Sequence, residues 1–238
     1  MMFSRQRYSS FVTPTPLPAG DCLVIGFLGG LEAWDARDQG VRKVALALRA
    51  RNLSGLHVET VEEKKRKLAL ELIRRSFDRD GDGVLDERER RSVRVILYGM
   101  SFGGAAVVKL ARQLAAIDVP ILLTVQVDSV GATDHIIPAN VAMAANIYQT
   151  DGLFVRGERT IRAQDPSKTA ILGNFRFAYQ DRHIDLSAVP WYKLACRVAH
   201  SKMNADPQVW ALVEELIVSA AVPSLSDREP SAIAGGFS

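Results

Sequence analysis

The chain has 238 residues, enough for one domain with a substantial hydrophobic core. Its composition, 47% hydrophobic and 24% charged, is ordinary for a globular protein, and a net charge of +3 is too small to indicate nucleic-acid binding. No run of 18 apolar residues is present, so the sequence predicts no transmembrane segment.

Two polar segments border the predicted domain, which spans residues 21–220. Residues 1–20 are rich in Pro and Ser, and residues 221–238 in Pro, Gly and Ser, so we expect a flexible arm and a flexible tail. The arm lacks the apolar stretch of a signal peptide, which favours the cytoplasm. Two cysteines far apart in sequence, Cys22 and Cys196, are predicted to be free buried thiols.

Strands and helices alternate along the predicted domain. Apolar strands are predicted in DCLVIGFLGG, LHVETVE, RVILYG, VPILLTVQVDSV and AILGNFRFAY. Amphipathic helices are predicted in GVRKVALALRARN, KKRKLALELIRRSF, GGAAVVKLARQLAA, IPANVAMAANIYQ and DPQVWALVEELIVSA. The last helix opens with Asp206, a good N-cap, and Pro207, which suits a first helical turn. The pattern predicts an α/β fold with a mostly parallel central sheet flanked by helices.

An acidic loop before the third strand has the ligand spacing of a calcium-binding EF-hand. That motif takes ligands from positions 1, 3, 5, 7, 9 and 12 of a twelve-residue loop, with glycine at position 6. Gly83 stands at the glycine position, and the predicted ligands are Asp78, Asp80, Asp82, the carbonyl of Val84, Asp86 and Glu89. So many carboxylates would repel one another without a cation, and we therefore expect Ca²⁺ here.

The expected role of this calcium is structural. EF-hand sensors work through pairs of helices that open, and this chain has one such loop with room for only about two helical turns after it. Calcium bound there would brace the segment that leads into the strand RVILYG. The alternative interpretation is an acidic turn that binds no ion.

The most informative stretch is Gly99-Met100-Ser101-Phe102-Gly103, which fits G-x-S-x-G between a predicted strand and a predicted helix. A serine at such a sharp turn is lifted above the end of the sheet. Glycine is needed at both flanking positions because side chains there would collide with the neighbouring strand and helix. The N–H of Phe102, at a helix N-terminus, would donate to an oxyanion, so Ser101 is predicted to be a nucleophile.

With this motif the chain resembles the α/β-hydrolase family, in its lipase and esterase branch. The resemblance runs from about Cys22 to Ile217. It implies an acid and a histidine that follow the serine in the chain, and a second oxyanion donor in the loop after an early strand. Here that loop is GFLGG, and the expected donor is the N–H of Phe27 or Leu28.

The expected acid is Asp128, which ends the apolar strand ILLTVQVD directly after the helix of the serine motif. Catalytic groups in open α/β sheets lie at such strand ends, and a carboxylate there needs a partner such as a histidine N–H. Asp134, in the following loop, is the alternative.

The order serine, acid, histidine selects among the four histidines. His57 precedes the serine, and His135 is too close behind Asp128. His200, in a loop expected just before the C-terminal helix, is the favoured base, and His183 is the alternative.

These residues predict a serine hydrolase that cleaves a small-molecule or lipid acyl ester through a Ser101, Asp128 and His200 triad and an acyl-enzyme. Two alternatives stay open: an acyltransferase or thioesterase on the same site, and a non-catalytic calcium-dependent binding module. The calcium loop would be most useful in the periplasm or outside the cell, so the location also stays open. The sequence predicts neither the acyl length nor the oligomeric state.

Overall fold

A six-stranded parallel sheet forms the centre of the fold. The computed structural model describes residues 6–30, 32–152, 156–187, 189, 194 and 198–221. The strands are β1 (Cys22–Leu28), β2 (Leu56–Glu62), β3 (Val95–Met100), β4 (Ile121–Val127), β5 (Ile136–Ile137), β6 (Val141–Gln149), β7 (Arg162–Ala163) and β8 (Ala170–Phe177). The α-helices are α1 (Gly40–Ala50), α2 (Arg66–Phe77), α3 (Glu87–Ser92), α4 (Phe102–Ala115), α5 (Val198–Ala205) and α6 (Pro207–Ala221). Short 3₁₀ helices occupy Tyr8–Ser10 and Glu63–Lys65.

The strand order is β2-β1-β3-β4-β6-β8, and every neighbouring pair is parallel. Strands β5 and β7 form a separate parallel pair. Both faces of the large sheet are covered: one hydrophobic cluster joins the sheet to α2 and α4, and the other joins it to α1 and α6. Burial on both faces explains why β1 is an unbroken apolar run rather than an alternating one. The predicted α/β fold, a mostly parallel sheet flanked by helices, is confirmed.

One predicted element is wrong. The segment IPANVAMAANIYQ, predicted as a helix, contains β6, which lies between β4 and β8. Its alanines and methionine favour a helix locally, but Ala144, Ala145 and Ile147 are fully buried within the sheet, where partners on both sides satisfy the backbone. The predicted strand AILGNFRFAY is confirmed as β8.

Part of the predicted N-terminal arm lies against the domain. Glu59 of β2 is fully buried, and its Oε1 accepts hydrogen bonds from the backbone N–H groups of Val12 and Thr13, at 2.7 and 2.8 Å, and from the Thr13 hydroxyl at 2.9 Å. Its Oε2 pairs with the Arg49 guanidinium at 2.7 Å. A buried charge in the sheet therefore holds the backbone of the arm at Val12 and Thr13.

Replacing Glu59 with alanine should destabilise the protein by about 2–4 kcal/mol, because Arg49 loses its partner and two arm N–H groups lose their acceptor. Urea denaturation would measure the change. Glu214→Ala, which removes an exposed pair with Arg51, is the matched control and should change stability by less than about 1 kcal/mol. Equal effects of the two substitutions would contradict the role of Glu59.

Two further predictions concern cysteines and membranes. Cys22 is a buried free thiol as predicted, and burial raises its pKa to about 12, which leaves it unreactive. Cys196 and the predicted tail residues 222–238 lie outside the described residues. Within the described part of the chain, every helix is too short or too polar to cross a bilayer.

Candidate active site

Ser101 lies at the junction between β3 and α4, as the motif predicts. Its backbone has φ 57° and ψ −126°, a conformation that is strained for a residue with a side chain. Hydrogen bonds fix this corner: the Ser101 N–H donates to the Val127 carbonyl at 2.9 Å, and the Ser101 carbonyl accepts from Val130 N–H at 3.1 Å. The two bonds tie the serine to the strand end next to it.

The two glycines of the motif are required by close packing. A Cβ on Gly99 would lie 2.5 Å from the Gly103 carbonyl oxygen, and a Cβ on Gly103 would overlap the carbonyl of Phe27. Both neighbours are backbone atoms, which cannot turn aside as the end of a side chain can. The turn therefore brings α4 against the end of β1.

Asp128 follows β4 directly, in a left-handed conformation with φ 42°, and its side chain is fully buried. Oδ2 lies 2.6 Å from His200 Nδ1 and accepts from Gln149 Nε2 at 3.0 Å. Oδ1 accepts from the Gly157 N–H at 2.7 Å. A carboxylate can only accept, so the His200 proton is on Nδ1 and its Nε2 is left as the basic nitrogen.

His200 lies in the short helix α5, rather than in the predicted loop, and is 8% exposed. A buried network secures the chain around it. Asp206, which is fully buried, accepts from the Tyr179 hydroxyl at 2.9 Å, pairs with Arg182 at 2.7 Å and accepts from the N–H of Gln208 at 2.9 Å. The last contact caps α6, as the sequence predicts. Burial, helped by the bond to Asp206, raises the pKa of Tyr179, which therefore stays a neutral donor.

Asp134 and His183, the alternative acid and the alternative base, have other neighbours. Asp134 is buried, but its Oδ2 accepts from the hydroxyl of Ser129. His183 is exposed, in a polar segment beside Asp185. The pair that forms across 72 residues of sequence is Asp128 with His200.

The loop expected to supply the second oxyanion donor begins later than predicted. Phe27 and Leu28 belong to β1, where both side chains are buried, so these two residues are strand rather than loop. Gly29 begins the loop beside Ser101, since a Cβ added there would lie 2.8 Å from the Met100 carbonyl and 3.0 Å from the Ser101 Cβ. Phe102 begins α4 as predicted, and first-turn N–H groups have no acceptor within their helix.

Two residues that contact Asp128 were not predicted from the sequence. Gln149 ends β6, the segment predicted as a helix, so its position beside the end of β4 could not be foreseen. Gly157 approaches Asp128 so closely that a Cβ there would overlap the carboxylate. A lone glycine in a polar segment gives no signal of such a contact.

The acidic loop joins α2 to α3, away from this site, at the opposite end of β3. One carboxylate oxygen each from Asp78, Asp80 and Asp82 lies within 4.8 Å of the others. Gly83 has φ 84°, and its N–H donates to Asp78 Oδ2 at 2.9 Å. Glu89 is buried and turns back into the loop, where Oε1 accepts from Arg79 N–H at 2.6 Å.

Comparisons with known proteins give only distant likenesses. No family model and no curated protein matches the chain. Among solved structures, a cutinase-like protein from Cryptococcus sp. is 17% identical with a TM-score of 0.49, covering 87% of this chain and 98% of that one. A dienelactone hydrolase from Anabaena variabilis is 13% identical with a TM-score of 0.43, covering 86% and 87%. A thioesterase of the prodiginine biosynthetic pathway in Streptomyces coelicolor is 11% identical with a TM-score of 0.41, covering 88% and 93%.

Proposed function

We propose that the protein is a serine hydrolase of the α/β-hydrolase family that cleaves carboxylic esters or related acyl compounds. The observation that carries this proposal is the buried Asp128–His200 pair at 2.6 Å. Asp128 follows the end of β4, next to β3, and Ser101 directly follows β3. A fully buried carboxylate holding one histidine nitrogen, beside a serine in a strained corner, is the arrangement that acyl transfer requires.

In the proposed reaction, Ser101 Oγ attacks the acyl carbonyl while His200 Nε2 accepts its proton. The imidazolium so formed is stabilised by Asp128, which also holds the ring in the required tautomer. His200 then protonates the leaving alcohol, and the acyl group stays on Ser101 as an ester. Water attacks this acyl-enzyme with His200 again accepting the proton, and the acid is released.

The negative charge that develops on the carbonyl oxygen needs fixed donors. The N–H of Phe102 is the first proposed donor, because it opens α4 directly after the nucleophile. We place the second donor in the loop that begins at Gly29, since its backbone lies against Ser101.

A fluorophosphonate probe and a series of p-nitrophenyl esters of increasing acyl length test the proposal together. We expect the probe to label Ser101, identified by peptide mass, and one range of acyl length to be turned over best. Added alcohols and thiols separate hydrolysis from acyl transfer, because a transferase would form new esters or thioesters. Absence of labelling, with no ester cleaved, would leave only a non-catalytic role.

We further propose that the loop of residues 78–89 binds a structural Ca²⁺. The loop suits calcium because its donors are hard carboxylate oxygens, three of which already converge. A glycine in the left-handed conformation also allows the sharp turn that such a loop requires. The proposed ligands are Asp78, Asp80, Asp82, the Val84 carbonyl, Asp86 and Glu89. Bound there, calcium would neutralise the crowded carboxylates and fix α3 at the start of β3, with no part in the chemistry at Ser101.

Adding calcium at about 100 times its Kd should stabilise the wild type by about 2.7 kcal/mol, or about 5–10 °C in Tm. Glu89→Gln should lose this response, because glutamine keeps the size of the glutamate but not its charge, and its one side-chain oxygen can accept from only one of the Arg79 and Asp86 N–H groups. Glu87→Gln, on the same helix with its side chain 72% exposed, is the control and should respond like the wild type. Calorimetric melting with calcium, magnesium or chelator measures the shifts. A Tm that calcium leaves unchanged in the wild type would contradict the proposal.

A further inference from the structure

A second group of potential metal ligands lies beside the candidate active site. Asp134 and His135 come from the loop after β4, and Glu158 comes from the segment after β6. One donor atom from each residue lies within 4.8 Å of the other two. Neither the proposed catalysis nor the proposed calcium loop uses these side chains.

The buried part of this cluster contains a carboxylate oxygen that no described residue contacts by a hydrogen bond. Asp134 is only 2% exposed, and its Oδ2 accepts from the Ser129 hydroxyl. Its Oδ1 is also buried and has no hydrogen-bond partner among the residues that the structure describes. A buried carboxylate oxygen left without a donor is unfavourable, and a bound cation would compensate for it.

The other two side chains approach each other without a hydrogen bond. His135 Nδ1 and Glu158 Oε2 are 3.7 Å apart, and both side chains are about one-third exposed, at 36% and 33%. An ion held tetrahedrally, about 2.0–2.2 Å from each donor, separates neighbouring donors by roughly 3.3–3.6 Å. The gap between these two atoms is therefore close to the width that such an ion spans, and the site is open to solvent on their side.

We propose that Asp134, His135 and Glu158 bind a zinc ion, or a similar late first-row divalent ion, with water as the fourth ligand. The donor set determines the class of metal, because an imidazole nitrogen with carboxylate oxygens suits zinc, whereas calcium and magnesium prefer oxygen alone. The nearby Arg112 guanidinium does not neutralise the carboxylates by direct contact, since it donates to Thr133 and to the carbonyl of Ile136.

An ion at this position would join the two segments that hold Asp128. Gly157 donates its N–H to Asp128 Oδ1 at 2.7 Å, and the next residue, Glu158, donates its N–H to the Ser129 carbonyl at 3.0 Å. Zinc would therefore connect the far end of the loop that begins at Asp128 to the segment that fixes its carboxylate.

Titration of the chelator-treated full-length protein with zinc, followed by calorimetry, tests the site directly. We expect the wild type to bind zinc here, and His135→Ala and Glu158→Gln each to lower the affinity at least about tenfold. Cobalt provides an independent measurement, because Co²⁺ bound in a tetrahedral site absorbs visible light strongly. Both variants should lose this absorption. His183→Ala, which removes another exposed histidine, should bind zinc like the wild type.

Two comparisons distinguish zinc binding at this site from an effect on folding and from binding at the calcium loop. His135 and Glu158 are surface side chains, so in chelator both variants should melt within about 2 °C of the wild type. The zinc response should survive Glu89→Gln, and the calcium response should survive His135→Ala. Zinc binding that His135→Ala and Glu158→Gln leave unchanged, or no zinc binding by the wild type, would overturn the proposal.

Discussion

Replacing Ser101 with alanine is expected to lower kcat for ester hydrolysis by about 10⁴-fold or more and to abolish fluorophosphonate labelling. In the proposed mechanism the Ser101 oxygen forms the acyl-enzyme, and alanine has no side-chain oxygen to take its place. Initial rates on the best p-nitrophenyl ester, with active-site titration of the wild type, measure the loss.

The fold should survive this substitution, because the backbone bonds that fix the corner remain and only a side-chain hydroxyl is removed. Ser167→Ala, in an exposed loop beside Asp165, is the matched control and should keep full activity and labelling. If Ser101→Ala were labelled and active within tenfold of the wild type, the nucleophile would be another residue and the proposed mechanism would be wrong.

Replacing Asp128 with asparagine is expected to lower kcat by about 10⁴-fold with little change in KM. The amide keeps the size of the carboxylate, but it has no charge to stabilise the His200 imidazolium. It can also present a donor to Nδ1, which would move the imidazole proton to Nε2, the nitrogen proposed as the base.

The pH dependence distinguishes this effect from a general loss of structure. In the proposed mechanism the variant loses the base rather than the nucleophile, so hydroxide can replace the base and the residual rate should rise with hydroxide concentration. Asp165→Asn, a substitution at a half-buried loop position away from this pair, should leave both the rate and its pH profile unchanged. Wild-type kcat in Asp128→Asn would show that the buried pair has a structural role only.

The serine corner could be predicted from sequence because its determinants are local. Gly99, Ser101 and Gly103 lie within five residues, and the steric demands on the two glycines follow from any strand that turns sharply into a helix. The β6 strand could not be predicted in this way. Its helix-favouring alanines become strand only because β4 and β8 pair with it, and neither pairing is visible in a local pattern.

The same distinction applies to the residues around Asp128. Asp128 and His200 were selected by strand position and chain order, and the structure brings them into contact. Gln149 and Gly157 support the same carboxylate through contacts that depend on the placement of β6 and of the segment after it. The sequence predicts the second oxyanion donor at Phe27 or Leu28, in a loop that begins at Gly26, whereas pairing with β2 and β3 continues β1 through these residues.

The N-terminal arm has a consequence for the outer edge of the sheet. β2 is an edge strand, and such strands expose N–H and carbonyl groups that can recruit a strand from another molecule. The side-chain amide of Gln6 donates to the Thr60 carbonyl at 2.7 Å and accepts from the Glu62 N–H at 3.2 Å. One glutamine side chain thus makes the two hydrogen bonds that a neighbouring strand would make. The Thr60 carbonyl and the Glu62 N–H are then not available for edge-to-edge aggregation.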